Sequence, residues 1–202
     1  MPIGVIAVQG DFAEHAEVLQ AAGFTPQLVK GSRDLSGVEG LVFPGGESTT
    51  QAKLIDSAGL RAPLEGLIRD GMPVLGTCAG LIMLSRAISG GRPDQWSFDL
   101  LDVAVLRNGF GRQVRSFEAD IPVKGLPATI RAVFIRAPVI VSAGEAVEVL
   151  AEVSYKFVDG TRRVLPVVVR QGNVLAAAFH PELVGDGRLH SLAFGAAFSE
   201  LL

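Results

Sequence analysis

The hydrophobic positions of this chain follow two regimes. In the first, unbroken apolar runs alternate with stretches at helical spacing. Ile3 to Val8 is a continuous apolar run of the kind that forms a parallel strand covered on both faces. It ends at Gln9-Gly10-Asp11, where Asp11 is suited as an N-cap. Phe12, His15, Val18, Leu19 and Ala22 then follow at helical spacing until Gly23 stops the helix. On that helix His15 reads as an ordinary helix-face residue. Pro26 to Val29 and Leu41 to Pro44 read as second and third strands, Gln51 to Ala58 and Leu60 to Asp70 as helices. This βαβ rhythm, with room for a crossover between strands, predicts a parallel sheet.

The stretch Pro73 to Leu84 is the sharpest signal. An apolar run feeds the turn Gly76-Thr77-Cys78-Ala79-Gly80, and a second apolar run leaves it with helical spacing, so a strand, a tight turn and a helix are expected. A residue on such a turn is held in a strained backbone, and flanking glycines remove side chains that would clash. Cys78 would thus be pushed out for attack. The start of a helix favours its thiolate, and the N–H of Ala79 points where an oxyanion would form. A buried structural cysteine is the alternative reading, and the strand, both glycines and the helix weigh against it.

Beyond the elbow helix, Ser89 to Trp96 is a polar, breaker-rich surface connection. The second regime follows. Leu101 to Leu106, Phe117 to Ile121, Ile130 to Ile135, Val147 to Val153, Val164 to Val169 and Val174 to Phe179 are short β-like runs, mostly antiparallel, with Gln171-Gly172-Asn173 as a hairpin turn. Arg188 to Leu202 reads as a C-terminal helix carrying His190. The expected fold is α/β: three layers around a central mixed, largely parallel sheet, with a nucleophile elbow and an antiparallel β portion in the C-terminal half.

Composition narrows the class. The 202 residues suit a single domain spanning 1–202, and 49% hydrophobic with 19% charged residues excludes disorder. A formal charge of -3 offers no basic excess for nucleic acid. The longest charge-free stretch, Gly71 to Ser85, is too short and glycine-rich to span a bilayer, and the opening residues carry no basic leader. One cysteine permits neither an internal disulfide nor a cysteine metal cluster. A soluble, cytoplasmic protein is expected, without nucleic acid or membrane as partner.

Three further stretches carry chemistry. Gly45-Gly46-Glu47-Ser48-Thr49-Thr50 follows the third strand, where glycines let a backbone approach a ligand and a helix start offers free N–H groups, although a plain capped turn looks similar. Its place at a strand's carboxyl end, where Cys78 should also lie, favours a ligand site. Arg107 to Gln113 and Phe134 to Pro138 contain Arg107, Arg112 and Arg136, which without context read as solvated edge charges. Finally His180 ends a buried-looking strand, and Pro181 directs the chain so that Glu182 can turn back to the imidazole. A carboxylate on one ring nitrogen sets the tautomer and leaves the other for a nucleophile. Metal binding is the rival, but His180, Glu182 and His190 make no recognised ligand spacing.

The elbow together with His180-Pro181-Glu182 resembles the class I, triad-type glutamine amidotransferases. Gly45 to Thr50, Arg107-Asn108, Phe110-Gly111-Arg112-Gln113, Phe134 to Pro138 and Phe179 to Leu183 narrow the resemblance to the glutaminase subunits of pyridoxal 5′-phosphate synthase, from Ile3 to the C-terminus. That resemblance implies hydrolysis of L-glutamine with Cys78 as nucleophile, His180 as base and acid, and Glu182 orienting it. It further implies glutamine contacts from Gly45, Gly46, Glu47, Ser48, Arg107, Ile135 and Arg136, and an oxyanion hole from Gly46 and Ala79, with neither cofactor nor metal. The implied partner is a (β/α)8-barrel synthase subunit in a large ring-shaped complex, which makes pyridoxal phosphate from pentose phosphate, triose phosphate and the ammonia. Gln9-Gly10 and the first helix match that interface. Two segments depart from the family pattern: 87–101, with Trp96-Ser97-Phe98-Asp99-Leu100, and Val184 to Gly187 where a threonine is usual at 184.

Overall fold

The computed structural model describes residues 1–110 and 116–195. Gly111, Arg112 and Gln113 of the family stretch, and 196–202 of the expected last helix, lie outside the described residues. In chain order the first half runs β1 (Pro2–Ile6), α1 (Phe12–Ala21), β2 (Thr25–Val29), β3 (Gly40–Phe43), α2 (Ser48–Ser57), α3 (Arg61–Arg69), β4 (Val74–Thr77) and α4 (Ala79–Leu84). The second half runs β5 (Ser85–Ser89), β6 (Leu101–Leu106), β7 (Phe117–Ile121), β8 (Ile130–Phe134), β9 (Val139–Ala143), β10 (Glu148–Lys156), β11 (Arg162–Gln171), β12 (Val174–Ala177) and α5 (Arg188–Phe194).

Among the described residues the main sheet has seven strands in the order β10-β11-β12-β4-β3-β1-β2. β2, β1, β3, β4 and β12 are parallel, and β11 and β10 continue the sheet antiparallel. β3, β4 and β12 are buried at every position. Strands covered on both faces have no solvent side to encode, which is why their sequences are unbroken apolar runs rather than alternations. β5, β6 and β9 form a second sheet, and β7 pairs with β8 in a third. No helix among the described residues is long and apolar enough to cross a membrane.

Two strands were not anticipated. α4 stops at Leu84 because Ser85 turns to extended backbone, with its hydroxyl donating to the Ile82 carbonyl at 2.8 Å, and the chain enters β5 to pair with β6. β9 buries Val139 and Ile140 and then exposes three residues, so it shows no period of two.

An aromatic cluster joins the small β7–β8 sheet to the main one. Phe117 stacks on Phe134 at 4.3 Å between centroids, Phe134 meets Phe179 at 5.4 Å, and Tyr155 donates its hydroxyl proton to the Phe110 carbonyl at 2.9 Å. Phe179 precedes His180, whose N–H donates to the Val133 carbonyl at 2.9 Å. The cluster therefore holds the exit of β12 in place. Phe134 is 1% exposed, so Phe134→Ala is expected to lower stability by about 3–5 kcal/mol in denaturant melts. A loss below about 1 kcal/mol would mean that the cluster collapses around the gap and is not a keystone.

Candidate active site

The carboxyl ends of β1, β3, β4 and β12 open on one edge of the sheet, the usual ligand edge of a parallel α/β sheet. At the end of β4, Cys78 adopts φ 46° and ψ -98°, a conformation that side chains other than glycine rarely take. Its N–H donates to the Ala177 carbonyl at 2.9 Å, fixing it to β12. The turn is tight because α4 lies directly against β3: a Cβ on Gly80 would collide with the Phe43 carbonyl oxygen. Only glycine permits that approach.

His180 leaves β12 facing Cys78, and the one-turn 3-10 helix Glu182–Val184 brings Glu182 back beneath it. His180 Nδ1 lies 2.7 Å from Glu182 Oε1 and 3.2 Å from Asp11 Oδ2. With Nδ1 committed to the carboxylates, Nε2 is left for the sulfur. Burial opposes a charge on His180, but bonds to Asp11, Cys78 and Glu182 outweigh it and push its pKa up to about 12. Burial raises the carboxyl of Glu182, and the bond to His180 pulls the other way. The pair is best described as an imidazolium and a carboxylate that sustain each other's charge. Gly45 makes room for it, since a Cβ there would sit 2.6 Å from His180 Nδ1 and 2.8 Å from Asp11 Oδ2.

Asp11 is a residue that sequence reasoning placed but misread. It stands at the N-cap of α1 yet makes no side-chain capping bond, because its carboxylate turns to His180. The signal was its place just after the Gln9-Gly10 turn at a strand's carboxyl end. Asp11, His180 and Glu182 bring potential metal-ligand atoms within 4.8 Å of one another. The histidine atom nearest both carboxylates is Nδ1, already hydrogen-bonded at 2.7 Å, so the chemistry is that of a hydrogen-bonded ion pair rather than a coordination shell.

The loop after β3 forms the opposite wall. Glu47 caps α2, accepting from the N–H groups of Thr49 and Thr50 at 3.2 and 2.8 Å. Arg107 Nη2 donates to Glu47 Oε1 at 2.7 Å, while Arg107 Nη1 donates to Thr49 Oγ1 at 2.8 Å and Gln95 Oε1 at 2.6 Å. Partial burial opposes the charge of Glu47, yet its bonds to Thr50, Thr49 and Arg107 lower its pKa to about 2. Gln95 also donates to Ser48 Oγ at 2.8 Å. The polar connection expected at 89–96 is thus pinned at its end, and Trp96 Nε1 adds a bond to Asp56 at 2.6 Å.

A cavity of about 380 Å³ lies between these walls. Gly46, Glu47, Ser48, Cys78, Arg107, Ile135, Arg136 and His180 line it, joined by Gln9, Asp11, Ile82, Asn108 and Leu183, which the sequence had not marked as lining. Gly45, Ala79 and Glu182 lie behind that lining. Asn108 and Arg136 both have positive φ, 50° and 47°, so strained backbone gathers around this cavity.

His15 corrects a second expectation. It is not an ordinary helix-face residue but fully buried, with Nδ1 2.8 Å from His190 Nε2 and Nε2 3.0 Å from Thr77 Oγ1. Its position on the apolar stripe of α1 placed it correctly; its partner lies 175 residues away. Burial, with the nearby charges of His190 and His180, drives the pKa of His15 well down, and burial takes that of His190 to about 4 against the opposing pull of Asp186. Both are therefore neutral in the folded state. An unfolded histidine binds its proton near the ordinary value of 6.5, so stability present above that pH is lost as pH falls toward 4. The melting temperature should fall across that window, and His190→Gln should flatten the fall; an equal slope in both proteins would contradict the burial of a neutral imidazole.

Residues 5–196 match the family described as the SNO glutamine amidotransferase family. The chain is 51% identical over 191 residues to the pyridoxal 5′-phosphate synthase subunit PdxT of Frankia casuarinae, covering 94% of this chain and 92% of that protein. It is 50% identical to the PdxT of Nocardia farcinica, covering 94% and 83%. A crystal structure described as that of a glutamine amidotransferase superposes with a TM-score of 0.84 at 45% identity, covering 98% of this chain and 97% of the other.

Proposed function

The chain belongs to the SNO glutamine amidotransferase family, and from that membership we propose that it hydrolyses L-glutamine and passes the ammonia to a synthase subunit that makes pyridoxal 5′-phosphate. One observation carries the chemistry. A cysteine held at φ 46° by an elbow lies beside an imidazole whose Nδ1 is fixed 2.7 Å from a buried carboxylate. That is the arrangement a thiol nucleophile needs.

In this reading the Cys78 thiolate attacks the side-chain carboxamide carbon of glutamine, forming a C–S bond and an oxyanion that the N–H groups of Gly46 and Ala79 receive. The His180 imidazolium gives its proton to the amide nitrogen, the C–N bond breaks, and ammonia leaves. Water then attacks the thioester while His180 takes its proton; the C–S bond breaks and glutamate departs. Glu182 keeps the Nδ1 hydrogen in place throughout.

The substrate's charged end meets the far wall. Arg107 is already paired with Glu47, whereas Arg136 lines the cavity and makes no ion pair among the described residues. Arg136 is therefore assigned the α-carboxylate. Glu47, held charged and rigid, faces the α-ammonium, with Gly45, Ser48 and Ile135 shaping the sleeve between. Residues 1–202 act as a single glutaminase domain in the cytoplasm, needing no cofactor. The partner is a (β/α)8-barrel subunit in a ring-shaped complex, contacting Gln9-Gly10 and α1. Gln9 is suited to transmit that contact, because its Oε1 accepts the Glu47 N–H at 2.9 Å.

The decisive measurement is glutamate release from glutamine by the purified chain, alone and with the synthase subunit. Release should rise when the subunit is added, and Cys78→Ala should abolish it while leaving the complex intact; hydrolysis by that variant would refute the mechanism. Arg136→Ala should lower kcat/KM by about 10–100-fold, mainly through KM, as loss of a charged hydrogen bond of about 1.5–3 kcal/mol dictates. An unchanged KM would move the carboxylate site elsewhere.

A further inference from the structure

We infer that His15 is a positioning residue for the triad: its Nε2–H supports the second oxygen of Glu182 and ties the strand carrying Cys78 to helix α1. The inference rests on the roles proposed above for Glu182 and Cys78. It concerns a buried group that the reaction itself does not touch.

Glu182 is 4% exposed, and only its Oε1 is bonded to His180. Its Oε2 is buried with no well-formed hydrogen bond among the described residues, and His15 Nε2 faces it at 3.4 Å. A buried carboxylate oxygen left without a donor is costly, so the hydrogen on His15 matters. Two tautomeric arrangements satisfy the 2.8 Å contact between His15 Nδ1 and His190 Nε2. In one, His15 Nδ1–H donates to His190, and His15 Nε2 accepts the Thr77 hydroxyl while presenting no hydrogen to the Glu182 carboxylate. In the other, His190 Nε2–H donates to His15 Nδ1, and His15 Nε2–H is shared between Thr77 Oγ1 and Glu182 Oε2.

The first leaves the negative charge without a donor; the second answers it. Asp186 pulls the other way, since its carbonyl and its charge favour a proton on the His190 ring, so the buried Glu182 oxygen is what decides the His15 tautomer. Because His15 stays neutral, it supplies this donor without a second positive charge beside His180. Thr77 immediately precedes Cys78, so the same nitrogen braces both the acid and the nucleophile's strand.

The test reads the sulfur directly. The chain has one cysteine, so the pH dependence of iodoacetamide alkylation reports Cys78 alone. Glutamine at position 15 places an amide N–H near the Nε2 position, asparagine near Nδ1, and leucine supplies neither. Asp11, His180, Glu182, His190 and Asp186 remain in every variant. Losing the donor weakens the Glu182 carboxylate, hence the imidazolium, hence the thiolate. His15→Asn and His15→Leu should therefore raise the alkylation midpoint by about one pH unit, a tenfold change, and lower kcat with KM held. His15→Gln should stay close to the parent in both.

A merely structural His15–His190 contact would instead favour asparagine over glutamine. That order, or one midpoint shared by all variants, overturns the inference. The unaltered protein gives an answer that needs no variant to fold: with three histidines, the ring 15N shifts identify the His15 tautomer, and an Nδ1–H form overturns the inference. If the parent fails to hydrolyse glutamine in the complex, the proposed function fails, while alkylation and tautomer still decide the role of His15.

Discussion

A carboxylate buried at the edge of a parallel sheet is the constraint on which this site depends. Removing an ion from water costs several kcal/mol unless the protein supplies partners, and Glu182 is almost wholly enclosed. The nearest partner able to carry a positive charge is His180. Glu182 therefore favours imidazolium over imidazole on the ring beside Cys78. The buried acid thus does more than orient a ring: its own desolvation is relieved by the proton that, in the proposed mechanism, serves Cys78. This explains why the elements around it are so closely fitted, with Gly45 bare against His180 and the exit of β12 pinned by the aromatic cluster.

The far wall of the cavity follows the same logic with less burial. Glu47 serves as helix cap and as partner of Arg107, and each role restricts the other: a side chain accepting from two backbone N–H groups cannot swing away from the guanidinium. Gln95 then locks Arg107 from the polar connection between β5 and β6. Exposed ion pairs contribute little to stability, so the value of this network lies in fixing geometry.

Much of this was legible in the sequence because it rests on local rules. Buried parallel strands write themselves as continuous apolar runs, and a strand, a glycine-flanked cysteine and a helix can hardly be anything but an elbow. The antiparallel runs after residue 100 were also placed, within a few residues. What escaped was decided by partners distant in sequence. His15 sits on a helix stripe where a histidine looks unremarkable until His190 and Thr77 arrive from other elements. Asp11 has the sequence position of a cap, and only the approach of β12 reveals a better partner for it. β5 and β9 form because strands elsewhere offer free edges, and their own patterns carry no alternation.

Asp11 and Glu182 both face one nitrogen, and one N–H cannot serve two acceptors equally. Distance and burial decide between them. Glu182 is nearer, at 2.7 against 3.2 Å, and its side chain is sealed from water, whereas that of Asp11 is 33% exposed. Water can compensate the outer carboxylate for a weak bond but cannot reach the inner one. The Nδ1 hydrogen therefore belongs to Glu182, which fixes the orientation of the His180 ring. Asp11 supports the imidazolium through a longer, partly exposed contact from the side open to the cavity. The inner acid sets geometry and the outer one adjusts proton affinity, so the two carboxylates are not interchangeable even though they converge on a single atom.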